Sequence, residues 1–259
     1  MDVSFYTAAV GAYQQQVRLD IHANNIANVN TFGFRARVPA FSSLMTGEVV
    51  SINEYHPRGV GAKVEDSEPL YRQMSLTETG RYLDFAIEGK GYFGVLDPAT
   101  GNVTYTRDGS FILSREDEVV ETENPEGEEG EEFVEPEVIT RWFITDGSGR
   151  YVLGRDGRRI EVEIGPTTDM MAMDFPIGIF DYINYNGMRS VGGNQLVNVD
   201  KNMEVGLGSG KLVKGHLEQS NTDLAYEMSK VIESQRSFQA LLRMVTTSDE
   251  ITTTVNSLR

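Results

Sequence analysis

The sequence contains no cysteine. That absence excludes a disulfide framework, a thiolate nucleophile and any cysteine-ligated metal, and it suits a protein that leaves the cytosol without oxidative folding. No run of eighteen apolar residues occurs, so no transmembrane helix is expected. The opening residues, MDVSFYTAAV, have neither a basic segment nor a long apolar core. A standard secretory leader is therefore not expected, which leaves a cytoplasmic protein or one exported by another route. Basic residues are scarce too, 23 Lys and Arg against 39 Asp and Glu, with no basic patch to neutralise phosphates. Nucleic acid is not an expected partner.

The net charge of −16 is mostly local. Residues 116–137 hold twelve acidic residues and no basic one, so the rest of the chain carries only −4. The run reads as a solvated loop that repels itself, and it lacks the alternating oxygen ligands and fixed glycine of a calcium loop.

Motifs for chemistry are equally thin. Gly89-Lys90-Gly91-Tyr92-Phe93-Gly94 spells G-x-G-x-x-G, but Val95-Leu96-Asp97-Pro98 follows as a strand entering a turn. The dinucleotide site needs a helix there to hold the pyrophosphate. The phosphate-loop look of Gly206–Lys211 fails at both ends, at Val205 and Leu212. His22, His56 and His216 show no metal-ligand spacing and read as surface or packing residues. No G-x-S-x-G elbow is present. No catalytic, cofactor or metal site, no cofactor and no small-molecule substrate are expected, so the chain is read as no enzyme.

What is there is organised as helix, β-rich middle, helix. Val3, Tyr6, Val10, Tyr13, Val17 and Ile21 mark one helical stripe over residues 3–27, where only Arg18 and Asp20 are charged. An ordinary surface helix solvates its outer face with charge. This one is expected to touch protein on more than one side. A second stripe runs through Leu224, Met228, Val231, Phe238, Leu242, Val245, Ile251, Val255 and Leu258, with Gln235 and Ser248 as polar interruptions. Ser220 and Asp223 have the spacing of a capping box before it. Between the helices, residues 85–113 and 138–164 alternate short apolar runs with Asp-Pro, Asp-Gly and Gly-Asn turn signals, the pattern of antiparallel hairpins. Further strands are expected near residues 178–182 and 195–199.

The fold class is α+β: long terminal helices pairing as a coiled-coil-like arm, with a mainly antiparallel β middle domain. The expected division is residues 1–35, a helix with an Asn-rich exit, pairing with the helix of 216–259; an extended, rod-specific linker at 36–84; and an outer β-rich domain at 85–215 carrying the acidic loop.

The exit itself, ANNIANVNTFGFRA at residues 23–36, resembles the amino-terminal signature of bacterial flagellar rod and hook proteins. The matching residues are Asn24-Asn25, Ala27-Asn28, Asn30-Thr31 and Gly33-Phe34-Arg35. Glu218-Gln219-Ser220-Asn221, Glu227-Met228, Gln235-Arg236 and Asp249-Glu250 are similar to the family's closing segment, and FAIEGKGYFGVLDP and YTRDGSF to its β domain. The resemblance implies a structural subunit of the flagellar basal body in the cell envelope, outside the cytoplasm. It implies passage unfolded through the flagellar type III export apparatus and self-assembly into the helical tube that motility needs. The implied partners are copies of itself, other rod and hook subunits, and the export apparatus.

The length suits the distal- or proximal-rod members of the family. Residues 45–70 are read as the distal-rod segment, with a proximal-rod subunit as the alternative. A soluble ligand-binding β domain with helical flanks is the alternative of another class. Expected assembly contacts are both stripes with Gln235, and Asn24, Asn25, Asn28, Asn30, Phe32, Gly33 and Phe34. Asparagine tolerates a left-handed backbone at a helix exit, and its amide both donates and accepts. Those side chains are expected to tie the exit to neighbouring chains.

Overall fold

A computed structural model describes residues 3–44, 47–51, 54–58, 61–120, 137–164, 173–182, 188–198 and 205–258. The chain divides into two compact units, residues 1–72 with 220–259, and residues 73–219.

The first unit holds α1 (Val3–Ala27), β1 (Arg37–Ser43), β2 (Gly47–Ser51), β3 (Glu54–Arg58), β4 (Ala62–Pro69) and α2 (Leu224–Ser257). Strands β1 and β4 pair antiparallel from Arg37↔Pro69 to Ser43↔Ala62, and β2 pairs β3. At 1.5 Å per residue the helices span roughly 37 and 51 Å. The cap of α2 is Asp223, whose carboxylate accepts from the backbone N–H of Ala225 and Tyr226. The capping box does not form, because Asp223 is itself the cap and the helix starts after it; the Ser220 hydroxyl donates to Thr222.

The second unit is β-rich. Its strands are β5 (Leu76–Glu78), β6 (Phe85–Glu88), β7 (Tyr92–Leu96), β8 (Val103–Thr106), β9 (Ile112–Val120), β10 (Glu137–Thr145), β11 (Tyr151–Val152), β12 (Glu161–Val162), β13 (Ile179–Tyr182), β14 (Met188–Gly192), β15 (Gln195–Asn198), β16 (Val205–Leu207), β17 (Lys211–Lys214) and β18 (His216–Glu218). The main sheet runs β12-β10-β11-β7-β8-β15-β14, with β9 on β10, and β13 joining β7 to β16. Two small ladders, β6 with β17 and β5 with β18, complete the unit. Among the described residues the strand pairs of this sheet are antiparallel, as the hairpin signals indicated. The first half of the G-x-G-x-x-G stretch, Gly89-Lys90-Gly91, is the turn between β6 and β7, with positive φ at both glycines, and its second half is strand β7 rather than a helix.

Phe85, Ile87, Phe93, Val95, Phe111, Ile144, Val152 and Ile177 are buried at the centre of this unit. Beside them Tyr92, Tyr105 and Tyr182 stack edge to face. Burial first, then the neighbouring Tyr105, pushes the Tyr182 phenol far up, so the cluster stays neutral. One buried ion pair closes the unit. Arg107 donates to Glu218 at 3.0 Å and to the carbonyls of Ile87 and Gly89, while Glu218 accepts the Met74 N–H.

The acidic run is not wholly a loop. Residues 116–120 and Glu137 belong to the β9–β10 ladder, which continues to Val120↔Glu137. The stretch 121–136 lies outside the described residues.

Candidate assembly interface

The two helices lie antiparallel in the first unit. His22 meets Glu227, Arg18 meets Glu233, and Gly11 sits against Leu241. Along α2 Glu227, Val231, Ser234, Phe238, Leu241, Val245 and Ser248 are buried or half-buried, steps of four and three that place them on one face, with half-buried Lys230 and Ser237 alongside. Along α1 the buried residues are Ala8, Ala12, His22 and Asn25. The seam is therefore offset from the apolar stripe that the sequence suggests for α1. It is lined by alanine and polar groups.

That stripe splits. Val10, Val17 and Ile21 are half-buried, with strand β4 approaching the other flank: a Cβ on Gly61 would sit 3.8 Å from Val10, and the Val64 N–H donates to Gln14. Tyr6 and Tyr13 remain exposed, Tyr13 to 63%. The side chain of Val3 lies outside the described residues. In α2, Val231, Phe238 and Val245 are half-buried, whereas Gln235, Leu224, Met228, Leu242, Ile251, Val255 and Leu258 are exposed, Leu258 to 83%. With α1 starting at Val3, the antiparallel register exhausts it near Asp249. The last turns of α2 carry Ile251, Val255 and Leu258 beyond that point.

The seam is polar as well as narrow. Gln15 Oε1, His22 Nε2, Ser234 Oγ and Ser248 Oγ are buried without a hydrogen-bond partner among the described residues. Each such atom costs about 1–3 kcal/mol of desolvation. The fully buried apolar residues described in this unit are Ala8, Ala12, Phe34 and Ala36; the larger apolar side chains of the helices are half-buried or exposed.

The asparagine-rich exit is a staple within the chain. Buried Asn25 donates to the Arg37 carbonyl at 2.8 Å and to Glu227 Oε1 at 3.0 Å, and accepts the Arg37 N–H at 2.9 Å. The other Glu227 oxygen takes His22 Nδ1 at 2.5 Å. One amide thus fixes the end of α1, the start of β1 and the first turn of α2. Asn221 closes the unit in the same way, accepting from Ala36 N–H and donating to the Leu70 carbonyl. Asn28 bonds locally to Asn24 and accepts from Thr31, and Asn24 and Asn30 are exposed.

None of these exit asparagines is left-handed. Among the described residues the one non-glycine with positive φ is Asn194. The reversal falls on Gly33 alone, at φ 66° and buried, between exposed Phe32 and buried Phe34. Left-handed backbone costs a side chain about 1–2 kcal/mol, so Gly33→Ala is expected to lower the stability of the helix pair by that amount. Urea melting followed by far-UV circular dichroism measures it, and an unchanged midpoint would contradict it.

His22, Glu227 and Asn221 were not singled out by periodicity. Their signal is a polar residue on an inward helix face, or just before a cap, where apolar side chains are the rule. Among the described residues no group of three His, Asp or Glu side chains could hold a metal ion.

Comparison with known proteins follows the same outline. Residues 5–35 match the model for flagella basal body rod proteins, 86–129 that for the D1 domain of flagellar hook protein FlgE/F/G, and 213–258 that for the carboxyl-terminal part of flagellar basal body rod FlgEFG proteins. The chain is 31% identical over 265 residues to flagellar basal-body rod protein FlgG of Bacillus subtilis, covering 96% of each chain. It is 30% identical over 264 residues to FlgG of Buchnera aphidicola from Schizaphis graminum, again 96% of each. FlgF of Rhizobium meliloti is 28% identical across 96% of this chain and 94% of its own.

A chain of a helix-paired unit and a β-rich unit matched by such relatives is a structural protein and not an enzyme. The chain belongs to the flagellar basal-body rod protein family that includes FlgG, and its place is the flagellar basal body in the cell envelope.

Proposed function

We propose that this chain is a distal-rod subunit, exported through the flagellar type III apparatus and assembled with copies of itself and adjoining rod and hook subunits into a helical tube. The observation that carries the reading is the outward apolar face of α2, above all Ile251, Val255 and Leu258, which no helix of the same chain covers on the antiparallel register. Together with Tyr6, Tyr13, Leu224, Met228 and Leu242 they meet neighbouring subunits. Ala8, Ala12, His22 and Asn25 of α1 with Val231, Phe238 and Val245 of α2 form the seam that holds the two helices together as a coiled-coil-like arm. FlgG relatives that align over nearly the whole chain, and residues 45–70 after the Gly33-Phe34 turn, favour the distal position.

Deleting the gene and imaging isolated basal bodies by electron microscopy tests this. Truncated rods without hooks, restored by complementation, are expected. The point of truncation separates a distal from a proximal subunit. Complete rods bearing hooks would contradict the reading.

A further inference from the structure

A groove of about 570 Å³ opens in the β-rich unit between Phe85 and Phe175 on its floor and Arg155, Lys211 and Lys214 on its rim, with Asp174 as the one carboxylate among its described lining residues. Lys214 is engaged, donating to the Met173 carbonyl at 2.9 Å and lying 5.3 Å from the centre of the Phe175 ring. Arg155 and Lys211 are exposed, and their side chains make no hydrogen bond or ion pair among the described residues. Three cations against one anion is an unusual balance for a chain of net charge −16. An apolar floor with a cationic rim suits an acidic peptide with some apolar content.

The chain itself contains one. Residues 121–136 carry eight carboxylates, no basic residue, and the apolar pair Phe133-Val134. Their own groove is a poor destination. Phe85 in the groove touches Phe111, ring centres 6.2 Å apart, at the base of the β9–β10 ladder. The stretch is tethered at the other end, at Val120 and Glu137, eight residues along β10 from Thr145. That separation is about 27 Å at 3.4 Å per residue. The middle of a sixteen-residue stretch held at both ends reaches about 27 Å when fully extended, so it meets this end of the groove only at full stretch.

We propose that the groove receives the acidic stretch 121–136 of a second copy of the chain, linking the β-rich units of neighbouring subunits. The inference rests on the reading that copies assemble side by side, but its test does not involve the helices.

A fluorescent peptide of residues 119–138 is titrated with the full chain, and with a chain in which 121–136 is replaced by a Gly-Ser linker, following anisotropy. Binding to both forms is expected, weakening roughly tenfold between about 0.05 and 0.5 M salt as the charges are screened. Arg155→Glu with Lys211→Gln is expected to weaken it a further tenfold or so. Both sites are exposed, and emission from Trp142, the single tryptophan, checks that the unit is folded. Absence of binding at low salt would overturn the proposal, as would binding that ignores the two substitutions. Binding only to the chain lacking 121–136 would mean that the stretch fills its own groove, and would overturn the second copy as occupant. Failure on any of these counts leaves the helix-based assembly standing, because that is read from basal bodies.

Discussion

Aspartate at both Ile251 and Val255 is expected to leave the purified protein folded and to remove it from the rod. Both side chains are more than half exposed in the single chain, at 56% and 60%, and they stand past the end of α1. Replacing them costs the isolated molecule little, within about 0.5 kcal/mol at an exposed position. In a subunit contact the same carboxylates would be taken out of water without a partner, at several kcal/mol each. Since about 1.4 kcal/mol is a factor of ten in affinity, two such groups weaken each contact by well over a hundredfold. The check is swimming on soft agar together with immunoblots of isolated basal bodies, with circular dichroism of the purified variant as the fold control. Normal swimming and normal incorporation would show that this face is not buried on assembly.

Asn25→Asp is the second large effect, and it acts within one chain. Asparagine here donates to both the Arg37 carbonyl and the Glu227 carboxylate. Aspartate keeps the acceptor for the Arg37 N–H but turns the donor into a second negative oxygen 3.0 Å from Glu227. The site is almost fully buried, Asn25 at 1% and Glu227 at 5% exposed. An uncompensated charge in such a place costs about 3–5 kcal/mol. Asn25→Ala loses the hydrogen bonds without adding the repulsion, and is expected to cost about 2–3 kcal/mol. Asn28→Ala removes only contacts to Asn24 and Thr31 near the surface and should stay below about 1 kcal/mol. Hydrogen exchange of the helix amides, resolved by peptide, ranks the three variants. Equal protection in all three would mean that Asn25 is no more than another exit residue.

The contrast between Asn25 and Asn28 shows where the sequence was legible. Periodicity located both helices within a residue or two, and turn dipeptides marked the antiparallel middle, because those features follow from local chemistry. The strands at Ile179–Tyr182 and Gln195–Asn198 were legible for the same reason. Which face of α1 turns inward was not. The apolar stripe suggested Val10, Val17 and Ile21, yet the seam with α2 is built on Ala8, Ala12, His22 and Asn25. A stripe says which residues avoid water, and not whether they do so in one chain or between several. In the sequence His22 reads only as a surface or packing residue and Glu227 only as part of the closing signature; their pairing was not legible, because only the fold brings them together across 205 positions. Ser220 and Asp223 had the right spacing for a capping box, but Asp223 is itself the cap. The acidic run looked uniform in charge although its two ends pair as strands.

The absence of native cysteine provides the most direct measurement. Val255→Cys places a single thiol in the chain, on the outward face of α2, and basal bodies carrying the native chain give the background to subtract. Its rate of reaction with a maleimide is compared in purified monomer and in isolated basal bodies carrying the variant. The account predicts ready modification in the monomer, where Val255 is exposed, and strong protection in the rod, where a neighbouring subunit covers it. Equal rates in the two states would mean that the end of α2 remains in water, and that the rod is held together by other surfaces.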